Sequence, residues 1–184
     1  GRYNHYILGH HYDKILEMFS KRPDISAEMD VSGVYTGQEG VRKLFVDILG
    51  KLYNYTGNLA LHQLTSPVIE IGKDGVTARA MWFSMGTNTH KDSQTGELIP
   101  IWQMGKYCHD FVKEDGEWKY LHFYWAAIFR TPFDKGWVRE PVIGNIHGAN
   151  EYKPIQKDPN SLYELPYDPT KDYPGYPLPP TPDK

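Results

Sequence analysis

Four segments in the second half of the chain have the alternating apolar and polar pattern of half-buried β-strands. They are residues 61–71, 76–86, 101–113 and 117–130. Two of the connections, Lys73-Asp74-Gly75 and Glu114-Asp115-Gly116, are short and contain glycine, which is typical of hairpins. The other connection, residues 87–99, is polar and long for a hairpin, and loops of that length often cover a site.

The first half of the chain predicts helices with one strand between them. Apolar residues recur at nearly helical spacing over residues 1–22, and Gly9-His10-His11 interrupts them, so that Asp13 is expected to cap a second helical piece. Residues 25–34 alternate as a strand, and residues 41–55 have the buried stripe of a helix. We therefore expect an α+β fold, in which a cone-shaped, curved antiparallel sheet wraps over N-terminal helices. No cap precedes Arg2, which suggests that native residues precede Gly1.

The end of the chain has a different composition. From Ala149 onward lie nine of the 14 prolines and five tyrosines, a composition typical of an extended segment rather than a core. We expect residues 1–148 to form one domain. Residues 149–184 would form an extended tail that packs on the body or on a neighbouring subunit, with a mobile tail as the alternative.

Composition excludes several classes of function. The chain has 184 residues, a length that one domain accounts for. Its net charge of -3 does not give the basic surface expected for nucleic-acid binding. Its apolar runs are only strand-length, which gives no membrane span. Its single cysteine, Cys108, cannot form an internal disulfide. A cytoplasmic protein fits these features best.

Strand alternation predicts which side chains face the inside of the cone. Arg79 marks the outer face of the second segment, which places Trp82 and Ser84 inside. Lys106 and Asp110 are expected to face solvent on the third segment. Tyr107 and His109 have the opposite parity and face inward, whereas either face of the last segment could be the inner one.

His62, at the start of the first segment, is the main candidate for proton transfer because imidazole titrates near neutral pH. Tyr107 is a candidate for donating a hydrogen bond to a developing negative charge. His11, which follows the break in the first helix, and His90, in the predicted loop 87–99, are candidates for contact with the ligand at the mouth of the cone. A hydrogen-bonded or solvated structural role remains the alternative for each of the four.

Aromatic residues could form the walls of a pocket for a small apolar molecule. The candidates for substrate contact are Tyr6, Trp82, Ser84, His90, Trp102 and Trp125, with core packing as the alternative. No spacing of His, Cys or carboxylates suggests a metal, and no glycine-rich phosphate loop suggests a nucleotide. We therefore expect no cofactor.

The order of these elements, with the turn Tyr35-Thr36-Gly37-Gln38-Glu39-Gly40 and the ending Gly116-Glu117-Trp118-Lys119, resembles the SnoaL-like branch of the nuclear transport factor 2-like superfamily. The resemblance covers roughly residues 2–137. It implies an α+β barrel that usually forms dimers or trimers and, in its enzymes, works without a cofactor.

The resemblance also implies a catalytic histidine where His62 stands, paired with an acid on the first helix. That acid position falls near Leu8, and a leucine cannot orient an imidazole, so His11 is the nearest polar substitute. Tyr107, Trp82 and Ser84 match pocket positions of scytalone dehydratase.

The expected function is a cofactor-independent lyase or isomerase acting on a small aromatic or alicyclic compound, with His62 as base and Tyr107 as acid. The alternative is a non-catalytic binding or assembly protein of the same fold. A third reading is a subunit that docks partners through its tail.

Overall fold

A computed structural model describes residues 1–29, 33–141 and 167–182. The helices are α1 Arg2–Leu8, α2 Tyr12–Leu16, α3 Gly37–Arg42, a π-helix Lys43–Leu49 and α4 Gly50–Leu52. The strands are β1 Ser26–Met29, β2 Val34–Thr36, β3 Ala60–Ile71, β4 Thr77–Lys91, β5 Leu98–Glu114 and β6 Glu117–Pro132. No helix in the described ranges is long and apolar enough to cross a membrane.

The strands form one six-stranded sheet in the order β2-β1-β6-β5-β4-β3. All neighbours are antiparallel except β1 and β6, which run parallel. The sheet is curved and unclosed, and the N-terminal helices cover its inner face. This confirms the predicted fold class, an α+β sheet wrapped over N-terminal helices.

The core lies between the helices and the inner face of the sheet. Tyr3 of α1 packs against Phe45 of the π-helix and Phe123 of β6, with ring centroids 6.1 and 4.9 Å apart. Burying such aromatic side chains stabilises a fold strongly because each removes a large apolar area from water. Aromatic contacts therefore help to hold α1 and the π-helix on the sheet, together with aliphatic side chains such as Ile7 and Leu44.

The predicted long loop at residues 87–99 is mostly strand. β4 continues to Lys91 and β5 begins at Leu98, so the connection spans only residues 92–97. The sequence did not predict this strand because its residues are polar. Asn88 and His90 are nevertheless buried on its inner side. Their strand partners on β5 are the apolar Ile101 and Ile99.

Three further predictions differ from the structure. The segment 25–34 contains β1 and only the first residue of β2, which runs on to Thr36; the two strands pair antiparallel, and Gly33 between them has a φ of 91°. The helix predicted for residues 41–55 begins at Gly37 and ends at Leu52. Asp13 lies in the first turn of α2, whereas His11 occupies the cap position without a side-chain cap bond.

Lys106 does not face solvent, because the C-terminal segment 167–182 lies over it. Its side chain is buried, and its ammonium donates hydrogen bonds to the backbone carbonyls of Gly175 and Pro177, the latter at 2.9 Å. The end of the chain thus packs on the outer face of the sheet, where Arg79 also donates to the carbonyl of Thr181 at 3.4 Å. Residues 149–166 and 183–184 of the predicted tail lie outside the described residues.

Candidate active site

A cavity of about 280 Å³ lies between α1 and the inner face of β4, β5 and β6. Its size is just below the range for ligand pockets, roughly 300–1,000 Å³, which suits a molecule with one ring. Aromatic side chains dominate its walls, and its polar lining includes Asn4, Tyr107 and His109.

Tyr107 lines the cavity and also contacts His62, which lies behind it. It lies on β5 with its side chain fully buried. Its hydroxyl is 3.3 Å from Nδ1 of His62 and is hydrogen-bonded to the hydroxyl of Tyr3. Burial, with the neighbouring Tyr107, raises the pKa of Tyr3 well above its usual value, so Tyr3 remains a neutral hydroxyl.

His109 is the histidine that lines the cavity. Its Nδ1 lies 3.0 Å from the carbonyl oxygen of Cys108, and since a carbonyl only accepts, Nδ1 must carry the proton. Its ring stacks on Phe123 with centroids 4.4 Å apart. Burial lowers the pKa of His109 to about 3, so the ring is neutral near pH 7 and Nε2 carries a lone pair.

His62 lies behind Tyr107 and does not itself line the cavity. Its Nε2 is 2.8 Å from the amide nitrogen of Gln103, and its Nδ1 is 3.4 Å from the hydroxyl of Ser84. Burial, and to a lesser degree the charge of Arg130, lowers the pKa of His62 to about 4. Its backbone carbonyl accepts a hydrogen bond from Asn4 at 2.8 Å, which ties α1 to β3.

The predicted inner face of the sheet brings several candidate residues together. Trp125 is fully buried, with its ring centroid 5.9 Å from that of His62. Trp82 lines the cavity, 5.7 Å from the ring of His109. Ser84 is fully buried beside His62. Strand alternation alone was sufficient to predict that Trp82, Ser84 and Tyr107 face inward.

Other candidates lie elsewhere. Trp102 has the opposite parity on β5 and stacks on Phe133, 6.1 Å away. His90 is buried on β4 rather than in a loop that could close over a ligand. His11 is exposed, with its ring against the partly buried Tyr6 at 6.4 Å. His11 is therefore not placed to substitute for the helix acid expected beside His62.

Leu8, the helix position where the alignment expected that acid, does not line the cavity and is 40% exposed. The α1 residues that line the cavity are Arg2, Tyr3 and Asn4. Sequence reasoning missed Tyr3, Asn4, Gln103 and Arg130 because nothing in their local pattern marks them. His109 has the same strand parity as Tyr107, so alternation predicted that it faces inward.

Among the residues that the structure describes, no group of three or more His, Cys, Asp or Glu side chains is placed to hold a metal ion. Cys108 lies on the outer side of β5 by parity, and burial raises the pKa of its thiol to about 12. A thiol with that pKa is not a ready nucleophile near pH 7.

Comparison with known proteins identifies the family. Residues 1–124 match the SnoaL-like domain, and the chain belongs to that family. No curated protein matches the chain.

Solved structures share the fold at low identity. A Novosphingobium aromaticivorans DSM 12444 protein named after scytalone dehydratase is 17% identical, with a TM-score of 0.59 over 72% of this chain and 80% of that one. Hexachlorocyclohexane dehydrochlorinase from Novosphingobium barchaimii LL02 is 14% identical, with a TM-score of 0.55 over 71% of this chain and 82% of that one. Identities this low establish the fold and leave the reaction open.

Proposed function

We propose that the protein is a cofactor-independent lyase of the dehydratase type, acting on a small molecule with one aromatic or alicyclic ring. The observation that carries the proposal is the pairing, at one aromatic cavity, of a tyrosine hydroxyl with a neutral histidine. The ring centroids of Tyr107 and His109 are 5.4 Å apart, so both side chains can reach one small molecule. Membership of the SnoaL-like family and the dehydratase-type names of its structural neighbours support this class.

In this proposal His109 is the base. Its Nε2 removes a proton from a carbon next to a carbonyl group, and Tyr107 gives its hydroxyl proton to the leaving hydroxyl on the adjacent carbon. A carbon–carbon double bond forms and water leaves. The proton on His109 then returns to the tyrosinate, which restores both groups. Negative charge developing on the substrate raises the basicity of His109 at the moment of transfer.

His62 takes a different role from the one expected from the sequence. It lies behind Tyr107 rather than at the cavity, so it is placed to hydrogen-bond the tyrosine oxygen and not to reach a substrate carbon. We assign it the stabilisation of the tyrosinate. The sequence-based alternative, with His62 as the base, predicts a different order of mutational effects.

A set of single-ring β-hydroxyketones tests the proposal, with enone absorbance as the readout. Wild type should convert at least one compound, and His109→Gln should lose about 10²–10⁴-fold in kcat. The control is His122→Gln, which changes a histidine on the outer face and should leave turnover unchanged. Full activity in His109→Gln with loss in His62→Gln would return the role of base to His62.

A second candidate is a binding protein without catalysis. It is favoured by the described helix α1, Arg2–Leu8, which contains no acidic residue to pair with a histidine. In that case single-ring compounds would bind in the cavity with no turnover in any variant, and Tyr107→Phe would change only their affinity.

Self-association into a dimer or trimer remains part of the proposal. Its support is the set of exposed apolar side chains on β3 and β4. Ile69 and Ile71 are 56% and 62% exposed on one face of the sheet, and Phe83 and Met85 are 38% and 36% exposed on the other. Exposed apolar side chains often mark a protein interface. Light scattering with size-exclusion chromatography tests it, and a monomer at micromolar concentration would contradict it.

A further inference from the structure

Gln103 is a buried polar residue that the proposed chemistry does not use. It lies on β5 with only 1% of its surface exposed. A buried amide must have partners for its N–H and C=O groups, because leaving them unpaired costs stability. Its Nε2 is 2.8 Å from Nε2 and 3.4 Å from Nδ1 of His62, and its Oε1 is 3.4 Å from Nε of Arg130.

These residues form a row across four strands. His62 is the register partner of Gly86, Gly86 of Gln103, and Gln103 of Arg130. The amide of Gln103 reaches His62 by crossing over Gly86. A Cβ atom on Gly86 would lie 3.0 Å from Nε2 and 3.1 Å from Cγ of Gln103. The glycine therefore leaves the space that the amide occupies.

The row determines which way the amide points. A guanidinium group has five N–H donors and no acceptor, so the atom of Gln103 that faces Arg130 must be Oε1. The amide nitrogen then faces His62 and donates to Nε2, the nearer of the two ring nitrogens. In the neutral imidazole, the one remaining proton must be on Nδ1, the nitrogen 3.3 Å from the hydroxyl of Tyr107.

We propose that Gln103 is a positioning residue that holds neutral His62 in the Nδ1–H tautomer, so that His62 donates a hydrogen bond to the oxygen of Tyr107. Arg130 acts one step further out by orienting the amide. The tautomer follows from this row of contacts alone. Its consequence, a tyrosinate stabilised during turnover, rests on the proposed function.

The direct test is long-range ¹H–¹⁵N correlation spectroscopy on the full chain with ¹⁵N-labelled histidine, at pH 7. Assignment of the His62 signals comes from their absence in His62→Gln. The wild type should show Nδ1 with the shift of a protonated nitrogen and Nε2 with that of an unprotonated one. The opposite pattern in the wild type would overturn the proposal without any variant.

Two variants test the dependence on Gln103. Gln103→Glu replaces the donor by a carboxylate, which only accepts, so His62 should place a proton on Nε2 and titrate at higher pH. Gln103→Leu should give a mixture of tautomers. Gln63→Leu, on the exposed side of β3, is the matched control and should leave the His62 signals unchanged. Unchanged His62 signals in both Gln103 variants would refute the positioning role.

Activity separates this proposal from the proposed function. If the tautomer changes and turnover falls with a shifted pH profile, both stand. If the tautomer changes in Gln103→Glu and turnover with an accepted substrate keeps its rate and pH profile, the role of Gln103 in His62 stands and the proposed use of His62 fails.

Discussion

The hydroxyl of Tyr107 lies 3.3 Å from Nδ1 of His62, although the two residues are 45 positions apart in the chain. Between them they span the inner face of the sheet from β3 to β5. Tyr107 touches the cavity and His62 does not. The proposed proton donor at the cavity is thus backed by the partly buried imidazole of His62, an arrangement that supports the proposed chemistry.

Removing the hydroxyl of Tyr107 should separate chemistry from binding. Tyr107→Phe keeps the ring that fills the core but removes the proposed proton donor, so kcat should fall about 10²–10⁴-fold with a small change in ligand affinity. Turnover of a compound that the wild type accepts measures the first effect, and calorimetric titration measures the second. Tyr124→Phe, a buried tyrosine on the opposite face of β6, is the matched control. Equal turnover in wild type and Tyr107→Phe would remove the hydroxyl from the mechanism.

Acid should destabilise the protein through His62 and His109. Their folded pKa values, about 4 and about 3, are lowered by burial. Below the unfolded value of about 6.5 the unfolded chain therefore binds more protons, and stability falls by up to about 1.4 kcal/mol per pH unit for each group. Denaturant unfolding between pH 7 and pH 5 measures this slope, and His109→Phe should reduce it.

His122 gives a control of opposite sign. Its hydrogen bond with Asp110, 2.8 Å long, raises the pKa of His122. The stability it contributes is fully present below the unfolded pKa and is lost as the pH rises through the folded pKa. His122→Gln should therefore cost more stability at pH 5.5 than at pH 8.

For His62 and His109, an equal loss of stability between pH 7 and pH 5 in wild type and His109→Phe would contradict the burial of a neutral His109.

Lys106 should hold the C-terminal segment on the sheet. Lys106→Met keeps the apolar stem over the Phe83 ring, which lies 5.3 Å from the ammonium, but removes the donors to Gly175 and Pro177. Amide hydrogen exchange over residues 173–178 should become faster, with the rest of the sheet unaffected. Lys113→Met, which changes an exposed lysine of the same strand, should leave the segment protected. Unchanged exchange in Lys106→Met would show that other contacts hold it.

A side chain at Gly105 should disturb the packing of Trp125, which lies beside His62. An added Cβ would lie 2.5 Å from the carbonyl oxygen of Ala126 and 2.8 Å from Nε1 of Trp125. Gly105→Ala should therefore lower the free energy of unfolding by about 1–3 kcal/mol and change Trp fluorescence. Gly50→Ala, whose nearest contact would be 3.5 Å, should be neutral or slightly stabilising. A Gly105→Ala protein as stable as wild type would contradict this packing.

The sequence predicted the sheet well where one face is apolar. Alternation placed Tyr107 and His109 inside because Lys106 and Asp110 share the other parity, and the structure confirms those inward directions. The same rule failed for the environment of Lys106, because alternation shows which face a residue is on and not what covers that face.

Residues that act across strands could not be found in the sequence. Gln103 contacts His62 over 41 positions, and the contact depends on the register of three strands and on the space left by Gly86. The strand character of residues 87–91 was hidden by their polarity, since burial of Asn88 and His90 depends on the partner strand. Local patterns therefore predicted faces, whereas tertiary pairing determined the site.

The most direct measurement is a crystal structure of the full chain soaked with phenol and with a single-ring hydroxyketone. We expect a ring inside the cavity between α1 and β5, with an oxygen within hydrogen-bond distance of the Tyr107 hydroxyl and a carbon facing Nε2 of His109. A ring bound only on the outer face of the sheet, or one in the cavity that contacts neither group, would contradict the proposed active site.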